Sequence, residues 1–174
     1  MLDLALRIAA DKVPEPFDRP HATQKLADWH ARIAQDHPEH DALFRQPEVE
    51  TLLLGIFGNS PYLSASAFKT PEALIAVLVE GPDAAIEALF ERLTQTLPTL
   101  ETQDAVMRAL RQAKLQLALT VAVADITGHW PLEKVTGALS EFAELAVDHA
   151  VAHIVRARMV AGDLAWTGET GAPA

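Results

Sequence analysis

Two histidines, His149 and His153, stand four residues apart in a stretch patterned as helix, so both imidazoles face the same way. Such a pair can hold zinc. A catalytic zinc helix usually sets a Glu beside the first His, yet Ala150 follows here and no third ligand is evident. The pair therefore reads as partly buried histidines near a helix end, and no metal is assigned to it. Glu141, Glu144 and Asp148 share a face at i, i+3 and i+7. Di-iron bundles need Glu-x-x-His on two helices, and that tetrad occurs nowhere in the sequence. A solvated acidic face is the better reading, and His37, Glu39 and His40 read as a solvated turn.

Arg108, Arg111 and Lys114 form a basic stripe in a chain whose 24 acidic and 14 basic residues leave it at −10. That contrast makes them the candidate contact for an anionic ligand or an acidic partner. The competing expectation pairs them with Glu101 and Asp104, at roughly 0.3 kcal/mol per helical ion pair. Asp125 closes a long apolar run. Burying it unpaired would be costly, so it is expected to bond to a helix cap, or to His129 or Trp130 across the turn.

Other chemistries lack their residues. There is no phosphate-cradling Gly-x-x-x-x-Gly-Lys-Ser/Thr, no Gly-x-Gly-x-x-Gly and no Gly-x-Ser-x-Gly elbow. The absence of cysteine removes disulfides, thiolate metal sites and a Cys nucleophile. No catalytic, cofactor-binding or metal-binding residue is assigned.

The elements that must position these residues are helical. The apolar share is 49%, mostly Ala, Leu and Val, and proline and glycine punctuate the runs. Residues 2–11 read as a short amphipathic turn, ended by Val13-Pro14-Glu15-Pro16. Residues 21–36 form a helix with Leu26, Trp29 and Ile33 on one face. After a short piece at 41–45, Pro47 opens a helix carrying Val49, Leu52, Leu53, Ile56 and Phe57. Gly58-Asn59-Ser60-Pro61 breaks it, with Ser60 as N-cap and Pro61 at the first helical position. Thr70-Pro71 and Gly81-Pro82 repeat that device. Two long helices follow, at about 103–127 and 132–160, turning at Gly128-His129-Trp130-Pro131. The first is apolar all round from Leu115 to Ile126, which places it at the centre of the core. The second carries a seam of Leu132, Val135, Leu139, Phe142 and Ala146 suited to lying antiparallel on its predecessor. The expected fold is all-α, a multi-helix orthogonal or up-down bundle ending in two long antiparallel helices. Residues 1–162 make one helical domain, with short helices over 2–97, and 163–174 are a tail or linker.

The order of features from Leu52 to Val160 resembles the helical region ahead of the nucleotidyltransferase core in glutamine synthetase adenylyltransferase/adenylyl-removing enzymes. The resemblance rests on Asn59-Ser60-Pro61-Tyr62-Leu63 and on Arg108, Arg111 and Lys114. It continues through Ala124-Asp125, Gly128, Trp130, Leu132, Val135-Thr136, Leu139-Ser140 and Phe142-Ala143. It implies an enzyme that uses ATP to adenylylate a tyrosine of glutamine synthetase, with a related domain removing the group by phosphorolysis. Control by PII and glutamine is implied as well. The family's Gly-rich, Ser-Asp-x-Asp core, which binds metal and nucleotide, has no counterpart here. ATP and Mg2+ are thus implied only for the full-length enzyme, and this chain alone is expected to be non-catalytic.

The implied partners are the absent nucleotidyltransferase core, glutamine synthetase and, as a further candidate, PII. The alternative is a freestanding helical interaction module. The acidic balance argues against nucleic acid and anionic membrane. The longest apolar run is too short for a bilayer, which takes about 20 residues. Met1 to Ala10 lacks a signal-peptide pattern, so a cytoplasmic protein is expected. Apolar surface left open by a missing core could also support a homodimer.

Overall fold

The computed structural model describes residues 4–165, among which eight α-helices and two short 3-10 turns appear and no strand. They are α1 (Arg19–Asp36), α2 (Asp41–Phe44), α3 (Pro47–Asn59), α4 (Pro61–Lys69), α5 (Pro71–Val79), α6 (Pro82–Thr96), α7 (Gln103–Ile126) and α8 (Leu132–Val160). The 3-10 turns are Pro38–His40 and Leu97–Thr99. The chain is all-α.

Proline sets the starts. Each of α3 to α6 opens on one, where the missing N–H has no intrahelical partner to lose. Ser60 caps α4 by accepting the Leu63 N–H at 3.2 Å. Thr70 departs from the expected device. Its hydroxyl donates back to the Ser66 carbonyl at 2.8 Å and is buried, so it closes α4 rather than capping α5. Gly81 sits at φ +90°, a conformation that L side chains rarely adopt, and turns the chain into α6.

The expected first helix does not form. Residues 4–18 run as turns and irregular chain, with the Ala5 N–H bonded to the Leu78 carbonyl at 2.9 Å. Leu6 and Val13 are buried in the core instead. A lone ten-residue helix is marginal in water, and tertiary packing of single side chains prevails. The break expected over Gly58-Asn59-Ser60-Pro61 is present, with α3 running to Asn59 and Ser60 closing it as α4 opens, so Gly58 itself lies inside α3. A Cβ on Gly55 would lie 2.7 Å from Val13 Cγ1 and 2.9 Å from the Pro14 carbonyl, and one on Gly58 would lie 2.9 Å from Pro16 Cα. The glycines are the floor on which residues 13–16 rest. Asn59 fastens that segment, accepting the Phe17 N–H at 3.0 Å and donating to the Glu15 carbonyl at 2.9 Å.

Two apolar clusters result. The first gathers Trp29 and Ile33 of α1, Phe44 of α2, Leu52 and Phe57 of α3, and Leu74 and Leu78 of α5. Trp29 stands edge-on to Phe44 and Phe68, with ring centroids 5.2 and 5.5 Å apart. The second joins Ile86, Leu89 and Leu93 of α6 to Leu117, Val121 and Ala124 of α7 and to Val135, Ala138 and Phe142 of α8. Among the described helices only α7 has buried residues in both, since Leu119 and Val123 belong to the first cluster. Its apolar stretch is therefore central, as its pattern predicts.

The end of α8 lies beside Leu100 and Glu101, just ahead of α7, so the two long helices double back on each other. The seam of α8 differs from the expected one. Val135 and Phe142 face inward, but Leu132 and Leu139 are 69% and 44% exposed, and Ala138 takes the inner place. Asp83 and Ile86 of α6 stand beside Lys134 and Ala138 at the start of α8, and Ala138 shares a cluster with Ile86.

Candidate interaction surface

The corner between α7 and α8 is held by a carboxylate, though not the one expected. Asp125 is exposed on α7. Asp83, in the first turn of α6, does the fixing. It accepts the Trp130 indole N–H at 3.2 Å and pairs with Lys134 Nζ, while His129 Nε2 lies 3.7 Å away. Lys134 Nζ also stands 5.0 Å from the Trp130 ring centroid. The Lys134 ammonium and the indole N–H hold the Asp83 carboxyl below its ordinary value of 3.8 against a partial burial that opposes the shift, with the Lys134 and His129 charges adding to it. Sequence reading missed Asp83 because Gly81-Pro82-Asp83 already explained itself as a helix start; the partners come from residues some fifty positions on.

The histidine readings separate. His153 is buried and His149 half-buried, and no His, Asp and Glu group able to hold a metal occurs among the described residues. Glu141, Glu144 and Asp148 are all exposed. His37, Glu39 and His40 gather against Glu72 of α5, with His37 Nε2 3.8 Å from its carboxylate.

Arg108, Arg111 and Lys114 are all exposed along the first half of α7. None pairs with a carboxylate among the described residues, so the expected ties to Glu101 and Asp104 do not form. Arg111 Nη2 lies 4.0 Å from Met107 Sδ. The three do not face one way. At about 100° per residue, Lys114 and Arg111 lie about 60° apart, and Arg108 a further 60° round.

On α7, Gln116 reaches α6, its Oε1 accepting from Arg92 at 2.9 Å, while Leu117 and Val121 share a core with Phe142 of α8. Met107 and Lys114 lie on the next face round and are exposed. Around α8, Lys134 and Glu141 lie toward Asp83 and Ile86 of α6, lining a 260 Å³ hollow with Trp130. Leu139, Val147 and Ile154 consequently face away from α6. Val147, Val151 and Ile154 are 60%, 54% and 51% exposed. Ala146 and Ala150 beside them are half-buried, and Ala143 is exposed.

No described helix is by itself long and apolar enough to cross a membrane; α4 and α5 reach that apolarity only as a pair bent by 91°.

A family model for glutamate–ammonia ligase adenylyltransferase matches residues 50–170. The chain is 31% identical over 161 residues to a bifunctional glutamine synthetase adenylyltransferase/adenylyl-removing enzyme of Rhodopseudomonas palustris (strain BisB5), covering 91% of this chain and 16% of that protein. Proteins of the same description from Bradyrhizobium diazoefficiens and Caulobacter vibrioides are 35% and 36% identical, over 71% and 69% of this chain and 12% of each relative. The chain thus spans less than a fifth of the length of these relatives. No solved structure matches it.

Proposed function

Because the chain belongs to the glutamate–ammonia ligase adenylyltransferase family, we propose that it is a non-catalytic helical segment of a glutamine synthetase adenylyltransferase/adenylyl-removing enzyme. In this reading it buttresses the nucleotidyltransferase core and contributes to the surface that meets glutamine synthetase, with PII a further candidate partner. ATP and Mg2+ are handled by the core, and the setting is cytoplasmic. The single observation that carries the reading is the family match over residues 50–170 in a chain that covers only 16% of its relative. The uncovered outer face of α8 and the unpaired cations of α7 support a contact role, since apolar surface of this kind marks interaction sites.

The test uses the chain as a competitor. Added to adenylylation of glutamine synthetase by the Rhodopseudomonas relative, it is expected to inhibit in proportion to dose. The Arg108→Glu, Arg111→Glu, Lys114→Glu triple variant is expected to inhibit several-fold less. A chain that by itself moved AMP on or off a tyrosine would overturn the non-catalytic part. A chain that neither inhibits nor binds glutamine synthetase would overturn the contact part. The freestanding interaction module uses the same uncovered α8 face; a reading frame that continues into a Gly-rich, Ser-Asp-x-Asp segment decides against it.

A further inference from the structure

Between α5, α6 and α7 lies a hollow of about 410 Å³, the size class of small-molecule sites. Four alanines and Leu89 supply its apolar lining. Polar side chains complete the wall: Arg92 of α6, Gln116 and Thr120 of α7, and Glu72 and Glu80 at the two ends of α5.

The polar groups are left with unused bonding capacity. Thr120 is only 3% exposed, and its hydroxyl makes no hydrogen bond among the described residues. Helical threonines can return that bond to the carbonyl four residues back, as Thr51, Thr127 and Thr136 do. A buried hydroxyl with no protein partner is costly unless something in the hollow completes it. Arg92 Nη2 donates to Gln116 Oε1 at 2.9 Å, which spends one guanidinium donor and leaves the Gln116 amide nitrogen without a protein acceptor. Arg92 meets no carboxylate among the described residues, and Glu80 meets no cation. Glu72 has the His37 imidazole 3.8 Å away. A cation and an anion therefore line one hollow without reaching each other.

We propose that this hollow binds a small zwitterion, its carboxylate held by Arg92, Gln116 and Thr120 and its ammonium by Glu80. The guanidinium fork suits a carboxylate, and the alanines and Leu89 take the hydrocarbon between the two charges. Charge decides among ligand classes. A simple anion would gain from Arg92 but face Glu72 and Glu80 across the same space, and a simple cation would face Arg92. A ligand bearing both signs answers each wall and is opposed by neither. The site lies apart from the surfaces of the contact reading, and neither result below bears on competition for glutamine synthetase.

The probe is 6-aminohexanoate, compared with hexanoate and hexylamine, which keep the chain and each drop one charge. Its charges sit at opposite ends because the donors stand on α6 and α7 and Glu80 at the end of α5. In amide NMR of the whole chain, the zwitterion is expected to shift the signals of Ala76, Ala88 and Thr120. Its affinity is expected to exceed that of either half by about tenfold. Glu80→Gln is expected to lower the zwitterion to the affinity of hexanoate, and Arg92→Gln to that of hexylamine. Both side chains are exposed, so the thermal melt stays unchanged. Thr120→Val, which keeps the shape and removes the hydroxyl, is expected to weaken binding several-fold. Ala88→Phe fills the hollow from its exposed rim and is expected to abolish the shifts. Equal affinity for all three compounds, no shift with any of them, or binding that survives Ala88→Phe overturns the proposal.

Discussion

The two apolar clusters are built to different standards. Around Trp29 the core is closed on every side, with Phe44, Leu52, Leu53 and Leu74 all essentially inaccessible. Under α8 the core is one layer deep: Val135, Ala138 and Phe142 keep 8–9% of their surface, and the far side of the helix faces outward with apolar residues. The first region spends its hydrophobic residues on its own stability. The second leaves some of them outside: Val147, Val151 and Ile154 are exposed on α8 among charged and polar residues, and such exposed apolar side chains mark a surface able to make a further contact. Stability and contact thus fall to different ends of the chain, and α7, buried in both clusters, couples them.

The contrast is broken most directly by deleting a ring from each cluster. Trp29→Ala is expected to destabilise by about 4 kcal/mol, in the range for large aromatic deletions. Phe142→Ala, at the edge of the thinner core, is expected to cost about 2 kcal/mol because solvent relieves part of the cavity. Urea unfolding of both variants measures the difference. Equal losses would mean that the two clusters are equally closed.

Gly58→Ala tests how the closed region stays closed. A methyl group there meets the backbone of Pro16, and neither α3 nor the strapped segment can yield without moving the other. Strain of about 2 kcal/mol, offset by about 1 kcal/mol of helix propensity, leaves a net loss near 1 kcal/mol. A stabilised variant, read from the urea midpoint, would show that residues 13–16 are not held against α3.

In the open region Asp83→Asn removes the carboxylate that holds Trp130 and Lys134. Because Asp83 is 57% exposed in its side chain, solvent screens the pair and a loss below about 1 kcal/mol is expected. Its folded pKa is depressed below 3.8, so its contribution is complete above that value and is lost as pH falls through the lowered pKa. The stability difference between wild type and Asp83→Asn should therefore shrink on acidification. A difference that grew instead would reverse the assignment.

Much of the fold is legible in the sequence because its cues are local. Pro47, Pro61, Pro71 and Pro82 mark helix starts that need no distant partner to be recognised, and both long helices follow from their period. What escapes is set by contacts remote in sequence. Gly58 reads as a breaker until Pro16 is seen lying on it, and Asp83 as a helix start until Trp130 reaches it. Of the candidate site, the exposure of Arg108, Arg111 and Lys114 is readable, but their division between two sides of α7 depends on where α6 and α8 pack. The outer face of α8 is hidden in plain spacing: Leu132 and Leu139 fit the expected inner seam, and only their exposure in the folded chain shows that they look outward.

The smallest expected effect sharpens the comparison furthest. Ile154→Glu places a charge on the outer side of α8, where the side chain is about half exposed. The carboxylate reaches water without crossing packed atoms, so thermal stability is expected to stay within about 0.5 kcal/mol of wild type. At Ile33, fully inaccessible on α1, the same change buries a charge with no partner, and the chain is not expected to fold. A large loss at Ile154 would mean that α8 uses its outer face for its own stability. With no loss, those apolar side chains do nothing for the fold, and their cost in solubility is left to be explained by what they touch.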